Sequence, residues 1–275
     1  MSILLGAVQG IAEFLPISSS GHLVLVQHFF GGNGLGEEQL LFNVLLHFGT
    51  LLAVCVYYWN DVWSMVREFF LGVGDMVAGK GKEAPPPSRR MVLLIIVATL
   101  PLFAVLPVKD GVETAMSSVT FVSVALLLTG VLLFFSDRLA RGKKAEGTAT
   151  VVDALVVGAA QAIGTLPGIS RSGITISAGM LRGYDRSFAV RFSFLMSLPA
   201  VFGATLLELK DAVEAGGIDS RLLPVCLVGM VTAGVVGYGS IHLVNLLAKK
   251  GKFGAFAYYC WIVGLVSFLA GMIVK

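Results

Sequence analysis

Six apolar runs, each close to the length that crosses a bilayer, limit this chain to a small set of folds. They cover about Leu40–Trp59, Met91–Pro107, Ser117–Ser136, Phe188–Leu206, Leu222–Leu247 and Phe253–Val274. At about 1.5 Å per residue, some 20 residues of helix cover a hydrocarbon core about 30 Å thick. Only 13% of the 275 residues are charged and 56% are hydrophobic. A soluble domain has about 25% charged residues. Two further apolar stretches are broken in the middle. Residues 1–30 are interrupted by Pro16-Ile17-Ser18-Ser19-Ser20-Gly21, and residues 151–181 by Pro167-Gly168-Ile169-Ser170-Arg171-Ser172-Gly173. Each half is too short to span, so each stretch reads as a re-entrant helix–loop–helix hairpin. The expected fold class is an all-α polytopic membrane protein with six spanning helices and two such hairpins.

Orientation follows from the loop cations, because cytoplasmic loops carry the excess of Lys and Arg. With Trp59–Arg90, Asp137–Thr150, Arg182–Ser187 and Lys249–Lys252 inside, fourteen basic residues lie inside. Outside remain Lys109, Lys210, Arg221 and Lys275, while Arg171 and Arg191 fall within membrane segments. Both termini are therefore expected outside. The first residues, Met1–Val8, lack a basic n-region, and no cleavable signal peptide is expected.

The two broken stretches match each other. Gly6-Ala7-Val8-Gln9-Gly10-Ile11 aligns with Gly158-Ala159-Ala160-Gln161-Ala162-Ile163, and Leu15-Pro16 with Leu166-Pro167 after a one-residue slip. Ser20-Gly21 aligns with Ser172-Gly173. Each is followed by three spans. The chain then divides into a first repeat over 1–136, a cytoplasmic linker over 137–150, and a second repeat over 151–275. Three crossings is an odd number, so the second copy is inverted. Inverted repeats with broken helices place a site near the midplane between the repeats. Non-helical backbone is tolerated there only where protein or water satisfies it.

The membrane-embedded ionisable groups gather mostly at these two tips. Glu13 and His22 flank the first, and Arg171 lies in the second. A charge at mid-bilayer costs roughly 2.5–3.5 kcal/mol on insertion scales, so such residues point to function. Gln9 and Glu13 are four apart and share a helix face, offering an amide and a carboxylate to a hard cation or a positioned water. Ser18, Ser19 and Ser20 lead into the next helix, where each could also be a cap. The second tip repeats the pattern with Ser170, Arg171, Ser172 and Thr175. Two helix N-termini, one guanidinium and several hydroxyls at one depth make an anion site. His22 lies three residues from Ser19 and could serve as its base. Glu13 and Arg171 could also simply pair across the repeat interface.

The remaining candidates read as structural. His28, His47 and His242 lack comparable neighbours. Arg191 is expected to snorkel to the inner surface. Tyr57, Tyr58, Trp59 and Trp63 read as an inner-face aromatic belt. Cys55, Cys226 and Cys260 stand apart in apolar runs, as buried hydrophobes do. A net charge of +3 gives no reason to expect nucleic acid. Gly229, Gly234, Gly237 and Gly239 allow close helix packing, either within the chain or in a homodimer.

At these residues the chain resembles the bacterial undecaprenyl-diphosphate phosphatase family, also known for bacitracin resistance. One motif, (E/Q)-x-x-x-E, is Gln9-Gly10-Ile11-Ala12-Glu13, followed by Phe14-Leu15-Pro16-Ile17-Ser18-Ser19-Ser20-Gly21-His22. The other, P-G-x-S-R-S-x-x-T, is Pro167-Gly168-Ile169-Ser170-Arg171-Ser172-Gly173-Ile174-Thr175. The resemblance implies hydrolysis of undecaprenyl diphosphate to the monophosphate and inorganic phosphate in the cytoplasmic (inner) membrane. It also implies a divalent cation, magnesium or calcium, and a site open to the outer face. Carried onto this sequence, Glu13 with Gln9 serves the cation or the base. Ser19 is the candidate nucleophile with His22 assisting, a metal-bound water being the alternative, and Ser18, Ser20, Ser170, Arg171, Ser172 and Thr175 would hold the phosphates. The other reading for this architecture is a transporter or flippase of a polyprenyl phosphate lipid, which would use the same anion site.

Overall fold

The computed structural model describes residues 2–30, 36–79, 85–105, 107, 118–214 and 223–273. Among them lie eleven α-helices and no β-strand: α1 (Ser2–Phe14), α2 (Ser19–Phe30), α3 (Gly36–Tyr57), α4 (Trp59–Val77), α5 (Pro87–Thr99), α6 (Val119–Leu139), α7 (Val151–Ile163), α8 (Arg171–Leu181), α9 (Arg186–Glu214), α10 (Leu223–Lys249) and α11 (Ala255–Ile273). A 3₁₀ turn over Leu100–Ala104 continues α5 past Pro101, where the proline removes the backbone donor an α-helix needs. Side-chain caps mark several starts. Ser118 accepts from the Phe121 N–H, Ser170 from the Gly173 N–H, and Thr150 forms a capping box with Asp153.

Five helices are long and apolar enough to cross a membrane, or six if the bent pair α3–α4 counts as one. These correspond to the six apolar runs of the sequence. Large apolar side chains lie exposed on these helices, among them Leu128, Phe135, Ile262 and Val266. A water-soluble monomer rarely leaves so much apolar surface uncovered.

Broken segments flank the spans as hairpins. Gly6 packs on Gly229 and Gly10 on Ala233 and Gly237, so α1 runs parallel to α10 until Phe14 meets Gly237 near its middle. The chain turns there, and α2 runs back: Gly21 lies against Val122, while Leu25 clusters with Val119 and Val122 at the start of α6. The second hairpin, α7–α8, brings Gly168 against Val122 and Ala125. The two tips touch. Ser172 Oγ donates to the Leu15 carbonyl at 3.2 Å, and a Cβ on Gly173 would lie 3.2 Å from Pro16.

Gly168 has φ +83°, and a Cβ there would come within 2.6 Å of the Val122 carbonyl. Only glycine meets both demands. On α10, a Cβ at Gly229 would strike the Phe42 ring, at Gly237 the Phe14 ring, and at Gly234 would approach the Gly49 carbonyl. Those three glycines seat α1 and α3 within the chain, while Gly239 faces open space. Any pairing of two copies therefore uses a face other than the one carrying Gly229, Gly234 and Gly237.

One element departs from expectation. The stretch after Trp59, read from the sequence as loop, begins with α4, turned 88° from α3. Trp63, Val66, Phe70, Val73 and Val77 recur at helical spacing and are all exposed, the pattern of a helix lying in a membrane interface. Its charged face hides it in a hydropathy window: Glu68 and Asp75 bind Arg89 of α5, and Asp61 binds Arg191. Arg191 also reaches Glu146, so it sits in a polar cluster at this end of the bundle. Trp59 and Trp63 stack there, whereas Tyr58 is buried and accepts from the Asn245 amide. All three cysteines are free.

Candidate active site

Each hairpin turns into its second helix with the same device. In the first, Ser18 adopts φ +71°, a left-handed conformation that costs a serine energy. Its hydroxyl accepts from the Gly21 N–H at 3.2 Å and lies 3.4 Å from that of Ser20. In the second, Ser170 accepts from the Gly173 N–H at 3.1 Å and lies 3.2 Å from the Ser172 hydroxyl. Ser18 and Ser170 are thus matching caps. The residue after each cap is the one that reaches into the site: Ser19 within the first hairpin, and Arg171 across from the second.

Both reach Glu13. Ser19 Oγ donates to Glu13 Oε2 at 2.7 Å, and an Arg171 guanidinium nitrogen forms an ion pair with Glu13 Oε1. Gln9 Nε2 donates to Glu13 Oε2 at 3.1 Å and lies 3.2 Å from His47 Nδ1. The carboxylate is almost fully buried, while Arg171 keeps 24% of its side chain exposed. Three donors, Gln9, Ser19 and Arg171, converge on one buried carboxylate.

A cavity of about 610 Å³ opens beside this cluster. Arg171, His47, Gln161, Thr165 and Thr205 are among its polar lining, and Leu102, Phe103, Val105, Val201, Leu206 and Leu207 supply much of its apolar wall. A neighbouring groove of about 720 Å³ is almost wholly apolar and shares Thr99, Phe103 and Pro199 with it. The groove holds none of the ionisable groups of the site.

The structure brings Gln9, Glu13, Ser19 and Arg171 together, as the motifs suggest. Other candidates are placed differently. His22 Nδ1 lies 2.8 Å from the Ser18 carbonyl, and Nε2 lies 2.8 Å from the Tyr259 hydroxyl, with the two rings stacked. Both ring nitrogens are thus engaged away from Ser19, whose hydroxyl faces Glu13 instead. Thr175 turns from the tip to Ser193, 2.6 Å away, and donates to the Arg171 carbonyl. Ser18, Ser170 and Ser172 are buried as caps and tip contacts. His47 is a residue that sequence reasoning set aside. It stands 38 positions from Gln9 in an apolar run, and only the packing of α1 on α3 brings the two together.

The chain matches, over residues 2–266, the family described as bacitracin resistance protein BacA. It is 39% identical to an undecaprenyl-diphosphatase of Methanosphaera stadtmanae over 278 aligned positions, covering 99% of this chain and 98% of the relative. It is 42% identical to undecaprenyl-diphosphatases of Halothermothrix orenii and Syntrophotalea carbinolica, with 97% of each relative covered. A family match over nearly the whole length, joined to relatives of this similarity and coverage, places the chain in the bacitracin resistance protein BacA family.

Proposed function

We propose that this membrane protein hydrolyses undecaprenyl diphosphate to undecaprenyl phosphate and inorganic phosphate, with Ser19 as nucleophile and Glu13 as its base. The observation that carries this reading is the 2.7 Å hydrogen bond from Ser19 to a buried carboxylate that Arg171 reaches from the other hairpin. A lipid-phosphate transporter would use the guanidinium and the helix N-termini, but has no need of a hydroxyl aimed at a carboxylate.

The chemistry follows from these positions. The terminal phosphate enters between the N-termini of α2 and α8, whose N–H groups and dipoles favour an anion. Arg171 turns part of its planar fork from Glu13 to the phosphate oxygens. Ser19 Oγ attacks the terminal phosphorus while its proton passes to Glu13. The bond from phosphorus to the bridging oxygen breaks, and its electron pair leaves on the polyprenyl monophosphate. Water then attacks the phosphorus of the phosphoserine. The phosphorus–Oγ bond breaks, its electron pair stays on Ser19 Oγ and takes the proton back from Glu13, and inorganic phosphate leaves carrying the protons of the water. Phosphoryl transfer asks mainly for positioning and charge stabilisation, and both hairpins contribute.

A divalent cation, magnesium or calcium, is compatible with the donor set. Among the described residues no group of three His, Cys, Asp or Glu is gathered to hold a metal. Gln9 Oε1, however, is a buried oxygen without a partner, beside Glu13. Glu13 and Gln9 would hold the ion together with diphosphate oxygens, and its charge would offset that of the phosphates.

The inverted-repeat reading is supported by element order: a hairpin of short helices precedes the longer helices in each half. Tips at mid-depth fit re-entrant segments. The cavity wall formed by Val201 and Gly203–Leu207 belongs to the half of α9 remote from the basic end at Arg186. With that basic end in the cytoplasm and the termini outside, the cavity opens to the outer face of the inner membrane. The apolar groove beside it suits a polyprenyl tail.

Mass spectrometry of acid-quenched protein tests the nucleophile. Phosphate on the peptide bearing Ser19, absent in Ser19→Ala, is the expected result. Turnover at a near-normal rate by Ser19→Ala would transfer the attack to water.

A further inference from the structure

Among the described residues, six buried side-chain nitrogen or oxygen atoms lack a hydrogen-bond partner. Three of them border one cavity. Gln161 is fully buried, and neither Nε2 nor Oε1 is bonded. Thr205 Oγ1 is also unpartnered, although a threonine within a helix ordinarily has a carbonyl one turn back to donate to. Both residues line the cavity that holds Arg171 and His47. Buried polar groups are almost always satisfied, and leaving one bare is costly. Concentrated at the wall of a site, such groups await a ligand.

The surroundings indicate which ligand. Gln161 occupies in its hairpin the sequence position that Gln9 occupies in the other, and four residues on, Thr165 stands roughly where the first hairpin has Glu13. At these matched positions one hairpin therefore carries a carboxylate and the other a neutral hydroxyl, which an anion can approach without repulsion. Leu102, Phe103, Leu206 and Leu207 line the same cavity. The unpartnered groups thus share one cavity with the guanidinium and with apolar side chains suited to a lipid tail.

We infer that Gln161 and Thr205 form a second phosphate subsite, holding the lipid-proximal phosphate of the substrate while Ser19 and Arg171 engage the terminal one. The Gln161 amide and the Thr205 hydroxyl donate to its oxygens. This subsite sets affinity for the diphosphate lipid and retains the monophosphate product. It rests on the diphosphatase reading, which phosphate release by the unaltered protein tests on its own.

Gln161→Leu and Thr205→Val remove the donors at nearly constant volume. Hydrogen bonds to charged groups correspond to about ten- to a hundredfold in affinity. The expected result is KM for a long-chain polyprenyl diphosphate raised by at least about tenfold in Gln161→Leu, with a smaller rise in Thr205→Val. Inhibition by polyprenyl monophosphate weakens in parallel, while inhibition by inorganic phosphate does not. Melting temperature without substrate holds or rises, because buried polar atoms without partners have been removed. A role confined to packing or buried water would lower the melting temperature and leave KM and product inhibition unchanged, which overturns the inference. Weakened inhibition by inorganic phosphate alone overturns it as well, since the subsite would then belong to the terminal phosphate. An unaltered protein that releases no phosphate would instead remove the reading beneath it.

Discussion

Replacing Arg171 with alanine separates a catalytic cluster from a pair that merely ties two hairpins together. In the folded protein Glu13 is almost wholly buried and has three donors, Gln9, Ser19 and Arg171. Arg171→Ala leaves two neutral donors on a carboxylate. Breaking a fully buried ion pair costs roughly 3–5 kcal/mol. Here Arg171 is a quarter exposed beside a cavity that admits water, so about 2–3 kcal/mol is the expected loss of stability. Adding Glu13→Gln removes the stranded charge and should recover most of that loss. Activity follows the opposite course. A guanidinium on a transferring phosphoryl group contributes about 10³-fold or more, and its loss is not repaired by removing the base as well. The assay pairs thermal unfolding in detergent with phosphate release for the single and double variants. Stability restored while turnover stays absent is the predicted pattern. Arg171→Ala turning over within about tenfold of the unaltered protein, or a double variant regaining activity, would refute the reasoning.

Further tests address separate parts of the account. Ser20→Ala should retain turnover and Ser19→Ala should lose it, with melting temperatures close to the unaltered protein in both, since only Ser19 faces Glu13. Tyr259→Phe removes the hydroxyl 2.8 Å from His22 Nε2. It should lower the melting temperature slightly and leave kcat and KM close to those of the unaltered protein, since His22 is held away from Ser19 and only one hydrogen bond is lost. A fall in kcat alone would give His22 a part in the reaction. Gly168→Ala should reduce folded yield sharply, through φ +83° and the approach to the Val122 carbonyl, whereas Gly239→Ala, with nothing within 4 Å, should behave as the unaltered protein. Chelation should abolish phosphate release, and magnesium or calcium should restore it. Full activity in chelator would leave Gln9 Oε1 without the role given to it here.

Much of this architecture is legible in the sequence because hydropathy and chain breaks report depth. The six apolar runs, Pro16 and Pro167, and the matched tips locate the spans and hairpins closely. Helix rotation and the pairing of remote elements are not written that way. His47 sits in an apolar run, and nothing about its neighbours in sequence discloses that α3 turns it toward Gln9. Thr175 shares a motif with Arg171, yet four residues along α8 carry it to Ser193 and away from the tip. His22 lies one turn from Ser19, but the left-handed Ser18 sets its ring against a carbonyl and Tyr259, a residue 237 positions away. The helix α4 escaped notice because its apolar stripe alternates with charges that pair with Arg89 and Arg191. Gln161 was visible only as half of a repeat, and its empty hydrogen-bonding capacity depends on what the fold leaves beside it.

The central claim is that two hairpin tips from opposite halves of the chain form one hydrolytic site. Its most direct test is phosphate release from a long-chain polyprenyl diphosphate by purified, detergent-solubilised protein, where no two-sided membrane exists. The account predicts release that requires a divalent cation and is lost both in Glu13→Ala, from the first hairpin, and in Arg171→Ala, from the second. Well-folded protein that releases no phosphate under any cation, or release that persists without either residue, would contradict it.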